Sequence, residues 1–336
     1  MERSSTIRMR SWRVWAGLLV SLVFIYFALR NQDFGHIWQA LREAEYGWLI
    51  PAVAVYFLGV MVRSVRWHYL LRAVQDIPPR RLFPIVVIGY MANNILPLRA
   101  GEVVRSYALS ARFGVSKSSS LATIAIERIF DGLTMLAFIA VASLSVALTG
   151  DLWTIALVAL LLFPLLMVAL IAFVRVAWLR DTLVSLGVRA LPGQVAPRVE
   201  ALAHSFVEGL GILKRRQDLL GVGLTSVLAW LLEASMYLLI AQGFNLDLSP
   251  AAVLMVTAVA NMATLIPASP GYVGPFETGV LLVLNGALGI SRALALSYAI
   301  VVHAALYFPV TVLGLIYWWR ESFSWRDAQQ AEEAIG

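Results

Sequence analysis

No cysteine occurs in this sequence, which removes disulfides, thiolate metal sites and catalytic thiols from consideration. Charge is scarce too: charged residues make up 14% of 336, against about 25% in soluble domains. Enzyme signatures are missing as well, with no His-Glu-x-x-His, Gly-x-Ser-x-Gly or aspartate-rich transferase motif. What is there is apolar. Hydrophobic residues reach 60%, the mean hydropathy is +0.79, and runs long enough to span a hydrocarbon core, roughly twenty residues, recur. The net charge of +6 is no nucleic-acid signal, because the arginines sit at the ends of apolar runs, where they set orientation and meet anionic headgroups.

The basic residues trace a path across the bilayer. Arg3, Arg8, Arg10 and Arg13 ahead of Val14–Leu29 resemble a signal peptide, but no small-residue cleavage site follows, so a retained span starting in the cytoplasm is expected. Phe34, Ile37, Trp38 and Leu41 suit a short interfacial helix, and Gly47–Leu71 returns. Leu82–Leu96 is short for a span and has arginines on both flanks. It reads as the entry leg of a hairpin that turns at Pro97–Gly101 and leaves on the cytoplasmic side. Ser118–Leu148 exits, Trp153–Val174 re-enters and Leu219–Phe244 exits. Ala251–Ile266 and Pro275–Leu288 form a second hairpin, dipping in from outside. Ala293–Trp319 closes the path.

The expected fold is therefore an all-α polytopic membrane protein, a single transmembrane domain over 1–336. Six full spans and two re-entrant helical hairpins form an inverted-repeat bundle, with halves at about 13–149 and 151–320. Residues 175–217 read as a cytoplasmic amphipathic connector and 321–336 as a cytoplasmic tail. Both termini are expected on the cytoplasmic side of the cell (inner) membrane. The two breaks support the repeat: Asn93 to Arg105 and Asn261 to Glu277 both read Pro-x-x-x-Gly at their centres, Pro97 with Gly101 and Pro267 with Gly271. Broken apolar segments at matching places in two halves are the sequence pointer to a transporter's binding site.

Ionisable groups near the bilayer centre cost roughly 2.5–3.5 kcal/mol each on insertion scales and usually pair or line a pathway. Here they are Arg63 and Arg66 in the second span, Glu127, Arg128 and Asp131 after the first hairpin, Glu233 in the fifth crossing and Glu277 on the exit leg of the second hairpin. Glu102 and Arg105 flank the first break. A polar central cavity and buried structural ion pairs both fit these residues. His68 and His303 read as hydrogen-bonded core residues; Asn93, Asn94 and Asn261 suit helix caps or substrate contacts.

Taken in order, Asn93-x-x-x-Pro97-x-x-Ala100-Gly101-Glu102-x-x-Arg105, Glu127-Arg128-x-x-Asp131 and Pro267-x-x-Pro270-Gly271-x-x-Gly274-x-x-Glu277 resemble the lysylphosphatidylglycerol synthase transmembrane (flippase-like) family across roughly residues 13 to 320. The Arg66-Trp67 pair also fits. The resemblance implies a helical bundle with two re-entrant hairpins that moves a phospholipid or lipid-linked glycan between leaflets, without the aminoacyl-transferase domain of the best-known members. A membrane lipid is then the expected partner, with a lipid-modifying enzyme as a further candidate and no cofactor or metal. An enzyme acting on a lipid diphosphate is the competing class. The Pro-Gly-x-Ser-Arg loop of polyprenyl diphosphate phosphatases is absent, since Pro270-Gly271-Tyr272-Val273-Gly274 has no serine or arginine. A non-transporting accessory subunit of an envelope-lipid assembly is the third reading.

Overall fold

The computed structural model describes residues 19–26, 29–30, 34–96, 100–148, 150–176, 178, 180–182, 185, 196–266 and 269–320, and all regular structure among them is helical. Pro97, Pro267, the N-terminal arginine cluster and the 321–336 tail lie outside the described residues. Residues 19–26 form α1 and Phe34–Glu43 the short α2. A 3-10 turn, Tyr46–Trp48, leads into α3, Leu49–Leu71. Then come α4 (Pro79–Ile95), α5 (Gly101–Phe113), α6 (Lys117–Ala142) and α7 (Asp151–Arg175). Next are α8 (Ala196–Gly209), α9 (Arg216–Gly243), α10 (Pro250–Ala263), α11 (Pro275–Leu281) and α12 (Arg292–Arg320).

Local chemistry sets these boundaries. Pro79, Pro250 and Pro275 each stand in the first turn of a helix, where the missing N–H is not needed and the fixed φ helps. Ser249 caps α10 by accepting from the Ala252 N–H at 3.2 Å. Gly114, with φ of 70°, closes α5 in the left-handed conformation that a glycine adopts without a Cβ penalty.

Among the described residues four helices are long and apolar enough to cross a membrane: Tyr46–Leu71, Asp151–Arg175, Arg216–Gly243 and Arg292–Arg320. At 26 residues α6 is long enough, but Glu127, Arg128 and Asp131 sit in mid-helix and lower its apolar character. The hairpin legs α4 and α10 are 17 and 14 residues, about 25 and 21 Å at 1.5 Å per residue, against a hydrocarbon core of about 30 Å. The second hairpin's exit leg is α-helical only to Leu281. It continues as a π-helical turn over Leu282–Ala287, tied off where the Asn285 side chain donates to the Ile290 carbonyl at 2.8 Å.

The packing is reciprocal. α3 and α9 form the most extensive helix pair; α4 packs on α12, and α10 packs on α6. Each hairpin thus lies against the long helix that follows the other hairpin. α7 stands at the edge, with Leu157, Leu161, Leu165 and Val168 exposed. It approaches α6 at Gly132, where a Cβ would fall 2.0 Å from the Phe163 ring. Most of the buried core is apolar, and its charged side chains concentrate in one region. Arg66 and Trp67 are the two largest side chains buried to less than 2% exposure, and a fully buried arginine requires a partner.

Candidate functional site

The carboxylate partners of Arg66 come from α6 and a hydroxyl partner from α9. Its Nη1 donates to Asp131 Oδ1 at 2.5 Å and to Ser226 Oγ at 3.2 Å, and its Nη2 lies 3.1 Å from Glu127 Oε1. One helical turn separates Glu127 from Asp131, so both carboxylates reach one face. Glu127 is completely buried and gathers three arginines. Arg105 donates to both of its oxygens at 3.0 and 2.9 Å, Arg128 Nη2 donates to Oε1 at 2.7 Å, and Arg66 completes the set. The Arg105 guanidinium also lies 3.7 Å from the centre of the Trp67 ring, whose Nε1 donates to Thr123 Oγ1. Gly89 permits this approach, since a Cβ there would come 3.2 Å from Arg105 Cβ.

A second pair lies beside the first cluster. Arg63 donates to Glu233 Oε2 at 2.7 Å and sits over the Trp230 ring, and Trp230 Nε1 donates to Asp131 Oδ1 at 2.7 Å, joining the two groups. Asn261 Nδ2 donates to Glu233 Oε1 at 3.2 Å. Desolvating such charges costs several kcal/mol per ion, and only close, mutually hydrogen-bonded pairing offsets it. Arg66 Nε and Arg105 Nε have no hydrogen-bond partner among the described residues, so the network is not saturated.

Beside this network is a cavity of about 140 Å³. Its described lining comprises Tyr56 and Arg63 of α3, Tyr90, Asn93 and Asn94 of α4, Arg128 and Asp131 of α6, and Trp230 and Glu233 of α9. Asn261 and Thr264 of α10, Gly271, Tyr272 and Phe276 from the second break, and His303, Leu306, Tyr307 and Val310 of α12 complete it. The two helix breaks meet here. Asn94 donates to Thr311 Oγ1 at 2.9 Å, the Tyr307 hydroxyl donates to the Asn94 carbonyl at 3.3 Å, and a Cβ on Gly271 would lie 3.6 Å from that same carbonyl. At the first break Asn93 Oδ1 accepts from the Gly101 N–H at 2.9 Å. At the second, Glu277 Oε2 accepts from the Gly274 N–H at 2.6 Å. No three His, Asp or Glu side chains converge on a metal position among the described residues.

Residues 14–314 match the family described as the lysylphosphatidylglycerol synthase TM region. The chain belongs to that family. Two UPF0104 membrane proteins of Methanothermobacter thermautotrophicus resemble this family member at 27% and 29% identity, over 84% and 80% of this chain and 87% and 83% of their own lengths. Glycosyltransferase AglD of Haloferax volcanii is 26% identical over 92% of this chain and 55% of its own length. The protein is thus an integral membrane protein of the lysylphosphatidylglycerol synthase TM-region family.

In this family member the residues expected at the site separate into three groups. Arg63, Asn93, Arg128, Asp131, Glu233, Asn261 and Gly271 line the cavity. Arg66, Arg105 and Glu127 stand behind it as its charged wall, and Glu102 lies 3.5 Å from Arg128 Nε. Gly101, Pro270, Gly274 and Glu277 shape the breaks without lining the cavity. Tyr56, Tyr90, Trp230 and Tyr307 line it without having been singled out. Trp230 is three residues from Glu233, Tyr90 three from Asn93 and Tyr307 four from His303, so the helical neighbours of each selected polar residue were the available signal.

Proposed function

We propose that this protein moves the polar headgroup of a membrane lipid, a phospholipid or a lipid-linked glycan, from one leaflet to the other. The observation that carries the proposal is the cavity where two helix breaks meet, lined by Arg63 and Arg128 and backed by a buried charged wall. Arg128 matters most. Its side chain is 33% exposed, against 0% for Arg66 and 5% for Arg105. A headgroup phosphate entering the cavity would exchange with Glu102 and Asp131, each 3.5 Å from Arg128, while the 2.7 Å pair to Glu127 holds the arginine in place. At about 140 Å³ the cavity is smaller than the roughly 300–1,000 Å³ of ligand sites, which fits a closed state that must open to admit a headgroup. The acyl or isoprenoid chains would remain in the bilayer. The glycosyltransferase name of the Haloferax relative supports a lipid-linked glycan as one substrate class.

The reciprocal packing of hairpins and long helices is what two inverted halves require, and it supports six crossings with two hairpins that enter from opposite faces. Cytoplasmic termini in the cell membrane complete this topology. Cysteines introduced at Ser110 and Lys117 should then label only from the cytoplasm, and at Asn245 and Ser291 only from outside. Labelling of Ser110→Cys from outside would remove the first hairpin from the reading.

Purified protein in liposomes tests the activity. A phospholipid or polyprenyl-linked lipid should change leaflet distribution with its mass unchanged. Arg128→Ala should slow that movement while the protein stays folded, and Arg180→Ala should not. A product of different mass would replace the proposal with a membrane enzyme. Movement that requires a co-purifying lipid-modifying enzyme would make this chain an accessory subunit.

A further inference from the structure

His303 on α12 has an oxygen at hydrogen-bond distance from each ring nitrogen. Nδ1 lies 2.5 Å from Glu277 Oε1 and Nε2 lies 2.7 Å from the Gly271 carbonyl oxygen. A carbonyl only accepts, so Nε2 carries a hydrogen. The contact between Nδ1 and Oε1 also needs a hydrogen, on one atom or the other; without it two lone pairs would face each other at 2.5 Å. The pair therefore holds two protons, as imidazolium with carboxylate or as neutral imidazole with carboxylic acid. Removing one proton must break one of the two contacts.

Those contacts hold the second helix break. Glu277 accepts from the Gly274 N–H through its other oxygen, at 2.6 Å, and His303 grips the Gly271 carbonyl. The backbone between them is unusual: Gly271, Tyr272 and Gly274 have φ of 75°, 60° and 100°. For tyrosine that conformation carries strain, which surrounding contacts must over-determine. Phe276 packs on the imidazole, ring centroids 4.6 Å apart, and Gly271 abuts Tyr307, the residue that bridges to the first hairpin. His303 itself lines the cavity, so a proton can reach the pair from there.

We propose that His303 and Glu277 form a proton-binding site whose occupancy holds the second break closed, and that this proton is the coupling ion for lipid movement. The coupling role rests on the lipid-moving activity proposed above; the proton site does not. The other titratable or charged groups around the same cavity are Tyr56 and Arg63 from α3, Tyr90 from α4, Arg128 and Asp131 from α6, Glu233 from α9, Tyr272 at the break and Tyr307 on α12 itself. α2 meets α12 at Ser297, about 9 Å along the helix from His303, and its His36, Arg42 and Glu43 are exposed. The closed break holds two protons and the open one fewer, so raising the pH favours opening, by at most about tenfold per pH unit for one linked proton.

Glu277→Gln gives a sharp test, because the amide can donate to Nδ1 while its carbonyl accepts from Gly274, supplying the contact permanently. The natural sequence has no cysteine, so Val273→Cys introduces a single thiol at a 40% exposed position of the break. Maleimide labelling of the full-length protein in nanodiscs is compared between the Val273→Cys and Val273→Cys/Glu277→Gln proteins, and the ratio cancels the thiol's own ionisation. That ratio should rise severalfold with pH, and a His303→Ala background should label fast at every pH. A ratio flat across the pH range in which the fold holds would overturn the proton site, whether or not His303→Ala folds. In liposomes, lipid movement should respond to an imposed pH gradient in the parent and not in Glu277→Gln. No lipid movement beside pH-dependent labelling would remove the transport reading and leave the proton site standing. Movement with flat labelling would do the reverse.

Discussion

The two helix breaks, each reading Pro-x-x-x-Gly in the sequence, are fixed by different chemistry. At the first, an uncharged amide, Asn93, caps Gly101, and the Gly89 backbone and the Asn93 side chain close around that glycine: a Cβ there would meet the Gly89 carbonyl at 2.1 Å and Asn93 Oδ1 at 2.6 Å. Behind it, α5 is bolted to α6 by the Arg105–Glu127 pair. At the second, an ionisable carboxylate–imidazole pair does the capping, and the turn leans on the Tyr307 ring. Equivalent backbone devices thus differ in what can release them. The first answers to substitution, the second also to protons.

The comparison can be broken most forcefully at Glu127. Glu127→Leu leaves Arg66, Arg105 and Arg128 without their shared carboxylate, and removing one member of a buried pair costs about 3–5 kcal/mol. Loss of a monodisperse peak in size-exclusion chromatography is expected; a Glu127→Leu protein melting like the parent would show that the charged wall does not hold the first half. Gly101→Ala comes next, at about 1–3 kcal/mol from forced separation of the two hairpin legs, read as a lowered melting temperature. Asn93→Ala should cost about 0.5–2 kcal/mol, the range for a lost cap, with no dependence on pH. Against it, the cost of Glu277→Ala should depend on pH, shrinking as the pH rises past the point where the His303–Glu277 pair gives up its shared proton, because the bond it deletes requires that proton. Equal pH profiles for these two variants would erase the distinction between the breaks. Smallest is Arg180→Ala: its 2.9 Å contact to Asp181 is exposed and worth less than about 1 kcal/mol.

Much of this organisation was legible in the residues. The spans read as Gly47–Leu71, Trp153–Val174, Leu219–Phe244 and Ala293–Trp319 fall within a few residues of α3, α7, α9 and α12, because long apolar runs bounded by arginine, glycine or proline leave little choice of end point. His68 and His303 are hydrogen-bonded as expected, His68 to the Ile77 carbonyl at 2.8 Å. What periodicity could not supply was depth. Glu127 and Asp131 share a helical face, yet Asp131 reaches the cavity while Glu127 is enclosed by arginines from α3, α5 and its own helix. Which of Arg63, Arg66, Arg105 and Arg128 would be free to face the cavity depends on pairings such as Arg63 with Glu233, 170 residues away, and no local pattern encodes those.

That same separation sets a schedule for assembly. Arg63 and Arg66 leave the ribosome first, Arg105 follows, and the carboxylates that neutralise them come later: Asp131 65 residues after Arg66, and Glu233 170 residues after Arg63. At ~5–20 residues per second, Arg63 waits roughly 10 to 30 s for its partner. An unpaired guanidinium cannot rest cheaply in hydrocarbon for that time, so α3 should be retained at the insertion machinery or near the headgroups until α6 and then α9 arrive. A nascent chain arrested before Glu127 should crosslink to that machinery, and one arrested beyond Gly243 should not.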